Sequence, residues 1–111
     1  MPLPPLEKNN VTILNADNFK DTIIFAHGFG TDQGAWERVA AAFATDYRIV
    51  LYDNVGAGKS DPAAFSPNKY DSLYSYANDL LDICNALHIK DAIMVGHSVS
   101  GMISRLAAIK Q

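Results

Sequence analysis

The sequence predicts an α/β domain built on a mostly parallel sheet. Two observations carry that expectation. Three continuous runs dominated by apolar residues, Thr22–Ala26, Arg48–Tyr52 and Asp91–Val95, lack the in-and-out alternation of a half-exposed strand. They read as strands covered on both faces. Between them, apolar residues recur at three- and four-residue steps, the period of an amphipathic helix. Strands alternating with helices imply crossover units, which lay their strands parallel. A chain of 111 residues holds one domain at most, and 49% hydrophobic with 19% charged residues is a globular balance rather than a disordered one.

The elements follow in order. Residues 1–10 carry three prolines and two asparagines and read as a flexible leader; the domain runs from 11 to 111. Val11–Leu14 is a short apolar run suited to an edge strand. Ala16–Asp21 has turn chemistry. The strand Thr22–Ala26 is broken by His27-Gly-Phe-Gly30. A helix follows, with Ala35, Trp36, Val39, Ala40 and Phe43 on one face, closed by Asp46 and Tyr47. Arg48–Tyr52 is the second buried strand, Asp53–Ser60 a glycine-bearing loop, and Asp61–Lys69 a polar stretch. Asp71 or Ser72 can cap a longer helix. Its buried stripe is Leu73, Tyr76, Ala77, Leu80, Cys84 and Leu87; Asn78, Asp79, Asp82 and Asn85 form its outer face. Asp91–Val95 is the third buried strand. Gly96–Gly101 is a sharp turn, and Met102–Lys110 begins another helix.

Charge and composition exclude several classes. Twelve acids against nine bases give a net charge of -3, so no basic excess is present to displace counterions from nucleic acid or to hold an anionic membrane. The longest apolar run, Val39–Ala44, is far too short to span a bilayer. The opening MPLPPLEKNN lacks the apolar core of a secretory signal. A lone Cys84 leaves no internal disulfide and no cysteine-based zinc site. His27, His88 and His97 are too scattered for a recognised metal motif. The expectation is a cytoplasmic protein with no metal and no cofactor.

The strongest chemical signal is Val95-Gly96-His97-Ser98-Val99-Ser100-Gly101. A strand runs straight into a helix with a serine at the corner, the context of a nucleophile elbow, G-x-S-x-G. The turn is tight enough to need small residues two places either side of Ser98. Gly96 and Ser100 supply them, with Ser100 in place of the consensus glycine. The helix start offers a backbone N–H from Val99 and a positive dipole end. The plainer reading is a small-residue turn holding an incidental serine. His27-Gly28-Phe29-Gly30 is the second signal. Acyl transfer builds negative charge on a carbonyl oxygen, and two preorganised N–H groups answer it. Phe29, leaving a neighbouring strand, can present the second; the alternative is a turn that simply needs glycine.

Asn54-Val-Gly-Ala-Gly-Lys-Ser60 imitates a phosphate loop, but Asp53 stands where the first glycine is required. The dinucleotide fingerprint fails as well, because Asp61 holds the third glycine position. The loop reads instead as a cap on a strand end. Cys84 and Trp36 read as core residues and His88 as a surface residue at a helix end. His97 can line a site, but its place beside the serine is not that of a general base.

Together, HGFGTDQ (His27–Gln33), Trp36, YDNVGAGKSDP (Tyr52–Pro62), Lys69-Tyr70 and VGHSVSGMI (Val95–Ile103) resemble the α/β-hydrolase superfamily. Within it they resemble the RsbQ-type branch of sigma-B stress-response regulators, which also holds the karrikin and strigolactone receptors. The resemblance runs from about Asn10 onward, and serine in the fifth place of GHSVS is typical of that branch. It implies Ser98 as nucleophile, Phe29 and Val99 as oxyanion N–H donors, and Phe29 and His97 as pocket lining. It implies a small apolar ester or lactone as ligand and a PAS-domain phosphatase as partner in stress signalling.

The resemblance also implies a longer chain. In this fold the acid and the histidine follow the serine, and Val99–Gln111 contains no Asp, Glu or His. A serine without a base is hardly nucleophilic at neutral pH. The expectation is therefore the N-terminal part of an α/β-hydrolase fold, lacking the C-terminal strands and lid, with the Asp91–Val95 strand left as an apolar sheet edge. Three functions stay open for it: a serine hydrolase of esters or lactones, a ligand-binding signalling module, and an inert truncated hydrolase.

Overall fold

Four strands, β1 (Thr12–Leu14), β2 (Thr22–Ala26), β3 (Arg48–Tyr52) and β4 (Ile93–Gly96), form one sheet in the order β1-β3-β2-β4. This is a computed structural model, and it describes residues 3–15, 21–28, 31–66, 68–70 and 72–96, with 103, 104 and 107. β2 pairs parallel with β3 from Thr22↔Arg48 to Ala26↔Tyr52. On its other side β2 pairs parallel with β4 from Ile23↔Ile93 to Ala26↔Gly96. β1 runs antiparallel to β3 at the edge. The expected parallel core and edge strand are both present.

Successive side chains of a strand point to opposite faces, so the apolar runs of β2 and β3 feed two separate cores. Ile24, Ala26, Val50 and Tyr52 meet Tyr76, Ala77, Leu80 and Ile83 of α3 (Leu73–Ala86), and the helical residues Ile103 and Ala107 join them. On the opposite face Ile23, Phe25, Ile49 and Leu51 meet Ala40 of α2 (Glu37–Phe43), with Trp36 and Ala44 against them. All five residues of β2 are buried. That is why a run with no alternation forms a strand here.

Several expectations change. The segment before α2 is a 3-10 turn, Gln33–Trp36, capped by the Asp32 side chain, which accepts from the Gly34 N–H at 2.8 Å. Three residues per turn shift the phase of the helix that follows. Trp36, Ala40 and Ala44 face the sheet, while Val39 and Phe43 stay 43% and 44% exposed. In α3, Ile83 is fully buried, and Asp79, assigned to the outer face, is buried as well. β4 is not covered like its neighbours: Ile93 is 47% exposed. Among the described residues it has β2 on one side and no strand on the other, the open apolar edge that the sequence implies.

The leader is also corrected. Residues Pro5–Lys8 form a helical turn, α1. Proline is compatible with the first turn of a helix, where its missing N–H has no partner to lose. Lys8 Nζ lies 2.6 Å from Asp79 Oδ1, and the Tyr70 hydroxyl donates to Asp79 Oδ2 at 2.8 Å. These bonds explain how a carboxylate on α3 is tolerated inside. Asn9 is buried and exchanges hydrogen bonds with the Asp53 backbone: the Asp53 N–H donates to Asn9 O at 2.8 Å, and Asn9 Nδ2 donates to Asp53 O at 2.9 Å. Pro5–Asn9 are therefore tied to the domain. The Ala16–Lys20 part of the expected turn and the Asp71 cap lie outside the described residues. Ser72 occupies the N-cap position of α3 with extended backbone.

Candidate active site

Three parallel strands end level with one another. Ala26 pairs with Tyr52 on one side and Gly96 on the other. Neighbouring strands lie about 4.8 Å apart, so Ala26, Tyr52 and Gly96 stand side by side at one end of the sheet. β2 leads to α2 on one face, while β4 leads to helical residues that pack on the opposite face. Two adjacent strands whose chains depart to opposite faces leave a crevice at their carboxyl ends, the usual ligand site of an open α/β sheet.

Ser98, Val99, His97 and Phe29, the residues expected to carry the chemistry, lie outside the described residues. So do Gly30, Ser100 and Gly101. The structure describes the residues that lead into them, Gly28 after β2 and Gly96 at the end of β4, and the supports around the first.

His27 is fully buried. Its Nε2 lies 2.9 Å from the Asn54 backbone nitrogen. A backbone N–H can only donate, so Nε2 accepts and Nδ1 carries the hydrogen. That Nδ1–H donates to Gly28 O at 2.8 Å. The ring is thus a strut joining the ends of β2 and β3, with both nitrogens engaged, and it is not placed as a base. The same Gly28 oxygen accepts from the Thr31 hydroxyl at 2.7 Å and from the Thr31 N–H at 3.2 Å.

Asp53, 1% exposed, organises the neighbouring loop. Its carboxylate accepts from Gln33 N–H at 2.9 Å, from Lys59 N–H at 3.0 Å and from Asn10 Nδ2 at 3.0 Å. Burial alone would push its pKa up, but the hydrogen bonds from Asn10, Gln33 and Lys59 outweigh it and hold the carboxyl below its usual value. Gly58 sits at φ +51°, where a Cβ would fall 2.5 Å from Asp53 Oδ2. The phosphate-loop look-alike therefore wraps a carboxylate of its own chain. Sequence reasoning noticed Asp53 only as a missing glycine and His27 only as part of a turn. The available signal was position: each directly follows the apolar run of a strand, Ile23–Ala26 before His27 and Ile49–Tyr52 before Asp53.

An apolar groove bounded by Ile24, Leu80, Cys84, Ile89, Met94 and Ala107 lies along the middle of the strands rather than at their ends. Burial pushes the Cys84 thiol up, which suits a packed residue rather than a nucleophile.

Residues 21–111 match the family described as alpha/beta hydrolase fold. This chain belongs to that family. It is 46% identical over 107 residues to strigolactone esterase D14 of Arabidopsis thaliana, covering 96% of this chain and 39% of that protein. It is 45% identical over 103 residues to karrikin insensitive 2 receptor B of Petunia hybrida, covering 93% of this chain and 37% of the relative. A solved hydrolase structure from Oleispira antarctica superposes with a TM-score of 0.89 at 34% identity, covering 96% of this chain and 38% of that one. The chain thus spans about two fifths of the length of the curated relatives it matches. Among the described residues no helix is long and apolar enough to cross a membrane.

Proposed function

We propose that this chain carries the nucleophile of a serine hydrolase acting on small esters or lactones. Ser98 attacks the substrate carbonyl, and the backbone N–H groups of Phe29 and Val99 receive the oxyanion. Phe29 and His97 line the pocket. The observation that carries the reading is the Ala26↔Gly96 pair. It starts the glycine-rich loop and the G-H-S-V-S corner from neighbouring positions at one end of the sheet, where a serine and two donors have to converge. Relatives named as esterases support ester chemistry. The acid and base that activate Ser98 are not among residues 99–111, so these 111 residues alone are expected to show no turnover.

The test uses the natural polypeptide that carries these residues. Hydrolysis of p-nitrophenyl acetate should disappear in Ser98→Ala while the thermal transition stays in place. Turnover that survives this substitution would refute the assignment.

A signalling role goes with the same site. Relatives named as receptors support it, and the RsbQ-type sequence pattern supports sigma-B activation through a PAS-domain phosphatase. In this reading ligand binding and docking matter more than turnover, so Ser98→Ala should still form a complex with such a phosphatase. No complex with either form would remove the partner from the proposal.

A further inference from the structure

Three hydrogen bonds converge on one carbonyl oxygen beside the site. Gly28 O accepts from His27 Nδ1–H at 2.8 Å, from the Thr31 hydroxyl at 2.7 Å and from the Thr31 N–H at 3.2 Å. A carbonyl oxygen has two lone pairs, so three donors saturate it. The Thr31 N–H bond alone closes the turn. The hydroxyl bond is additional, made by a threonine that is otherwise exposed. The far end of the loop is held separately, by Gln33 N–H on Asp53.

We infer that Thr31, together with His27, is a positioning residue for the backbone donor that follows Gly28. This rests on the hydrolase reading above. The Gly28 carbonyl and the next N–H belong to one planar trans unit, so fixing the oxygen fixes the direction of that N–H. Rotation of the unit would break all three bonds and present an oxygen to the developing oxyanion where a donor is needed. The Gly28 carbonyl is thereby set before substrate arrives, and its peptide unit needs no reorganisation as charge develops. His27 ties the unit to the end of β3 through Asn54; Thr31 ties it to its own turn.

The test is Thr31→Val in the natural polypeptide, with Thr31→Ser and Ser98→Ala alongside. Valine keeps the shape and the N–H but removes the hydroxyl. The kcat for p-nitrophenyl acetate should fall about five- to tenfold, the factor carried by one neutral hydrogen bond. KM should change less than about twofold, because the donor acts on the transition state rather than on the ground state. Thr31→Ser should restore kcat. A parental kcat in Thr31→Val, with Ser98→Ala inactive, overturns this inference and leaves the hydrolase reading standing. So does a fall in kcat accompanied by a matching loss of thermal stability that serine does not restore. Turnover surviving Ser98→Ala overturns both.

Discussion

Replacing Asp53 by asparagine keeps the shape of the side chain and removes its charge. Three donors meet the carboxylate: Gln33 N–H at Oδ1, and Lys59 N–H and Asn10 Nδ2 at Oδ2. An amide offers one acceptor oxygen and one donor group. Whichever way it turns, at least one of these part-buried N–H groups faces another donor. A hydrogen bond to a charged group contributes roughly 1.5–3 kcal/mol, and leaving a buried donor unmatched costs a similar amount. Asp53→Asn should therefore destabilise the fold by about 3 kcal/mol at neutral pH. Urea unfolding of parent and variant, followed in the natural polypeptide, reads this directly. The pH dependence gives a second check. The folded-state pKa of Asp53 lies below its ordinary value, so its stabilisation is present in full above the unfolded value of about 3.9. It is lost as pH falls from there through the folded value. The gap between parent and variant should hold steady from pH 7 to about 5, then narrow below about 4. A gap under about 0.5 kcal/mol at pH 7, or one that does not narrow on acidification, would refute the view that this carboxylate organises the strand ends.

Further expectations use the same unfolding assay. Gly58→Ala places a methyl 2.6 Å from Asp53 Cγ at a backbone φ of +51°; it should cost about 2–4 kcal/mol. It should also be non-additive with Asp53→Asn in a double-mutant cycle, and additivity would show that the two do not share the loop. Lys8→Met removes the ammonium from the buried Asp79 carboxylate and leaves it the hydrogen bond from the Tyr70 hydroxyl; it should lose about 2–4 kcal/mol, part of which Asp79→Asn recovers, and an unchanged urea midpoint would mean that α1 is not anchored there. Ile83→Ala should lose about 2–4 kcal/mol from a fully buried site, while the exposed Phe43→Ala should lose less than about 1 kcal/mol. The reverse order would contradict the faces assigned to α3 and α2.

The strands were legible because their cause is local. Thr22–Ala26 and Arg48–Tyr52 carry uninterrupted apolar runs, and both form strands over those same bounds. The face of α2 was legible only in part. The apolar set Val39, Ala40 and Phe43 fits one helical stripe, but the 3-10 start rotates that stripe and leaves two of the three at the surface. Asp79 was misread because a carboxylate at an outer-face spacing is normally solvated. Its partner Lys8 lies 71 residues away, beyond the reach of any periodicity.

The same distinction runs through the site. Residue order alone predicts a serine at a strand-to-helix corner and a glycine-rich loop after another strand, because tight turns and buried strands impose their requirements over a few neighbouring residues. That the strands leading into these two segments, β2 and β4, are neighbours was decided by sheet order, with β4 beside β2 rather than beyond β3. That His27 and Asp53 serve as struts was decided by bonds to Asn54, Gln33 and Asn10, 20 to 43 residues distant. A hydrogen bond between remote segments depends on where the whole chain packs, and burial selects which polar groups must find such partners.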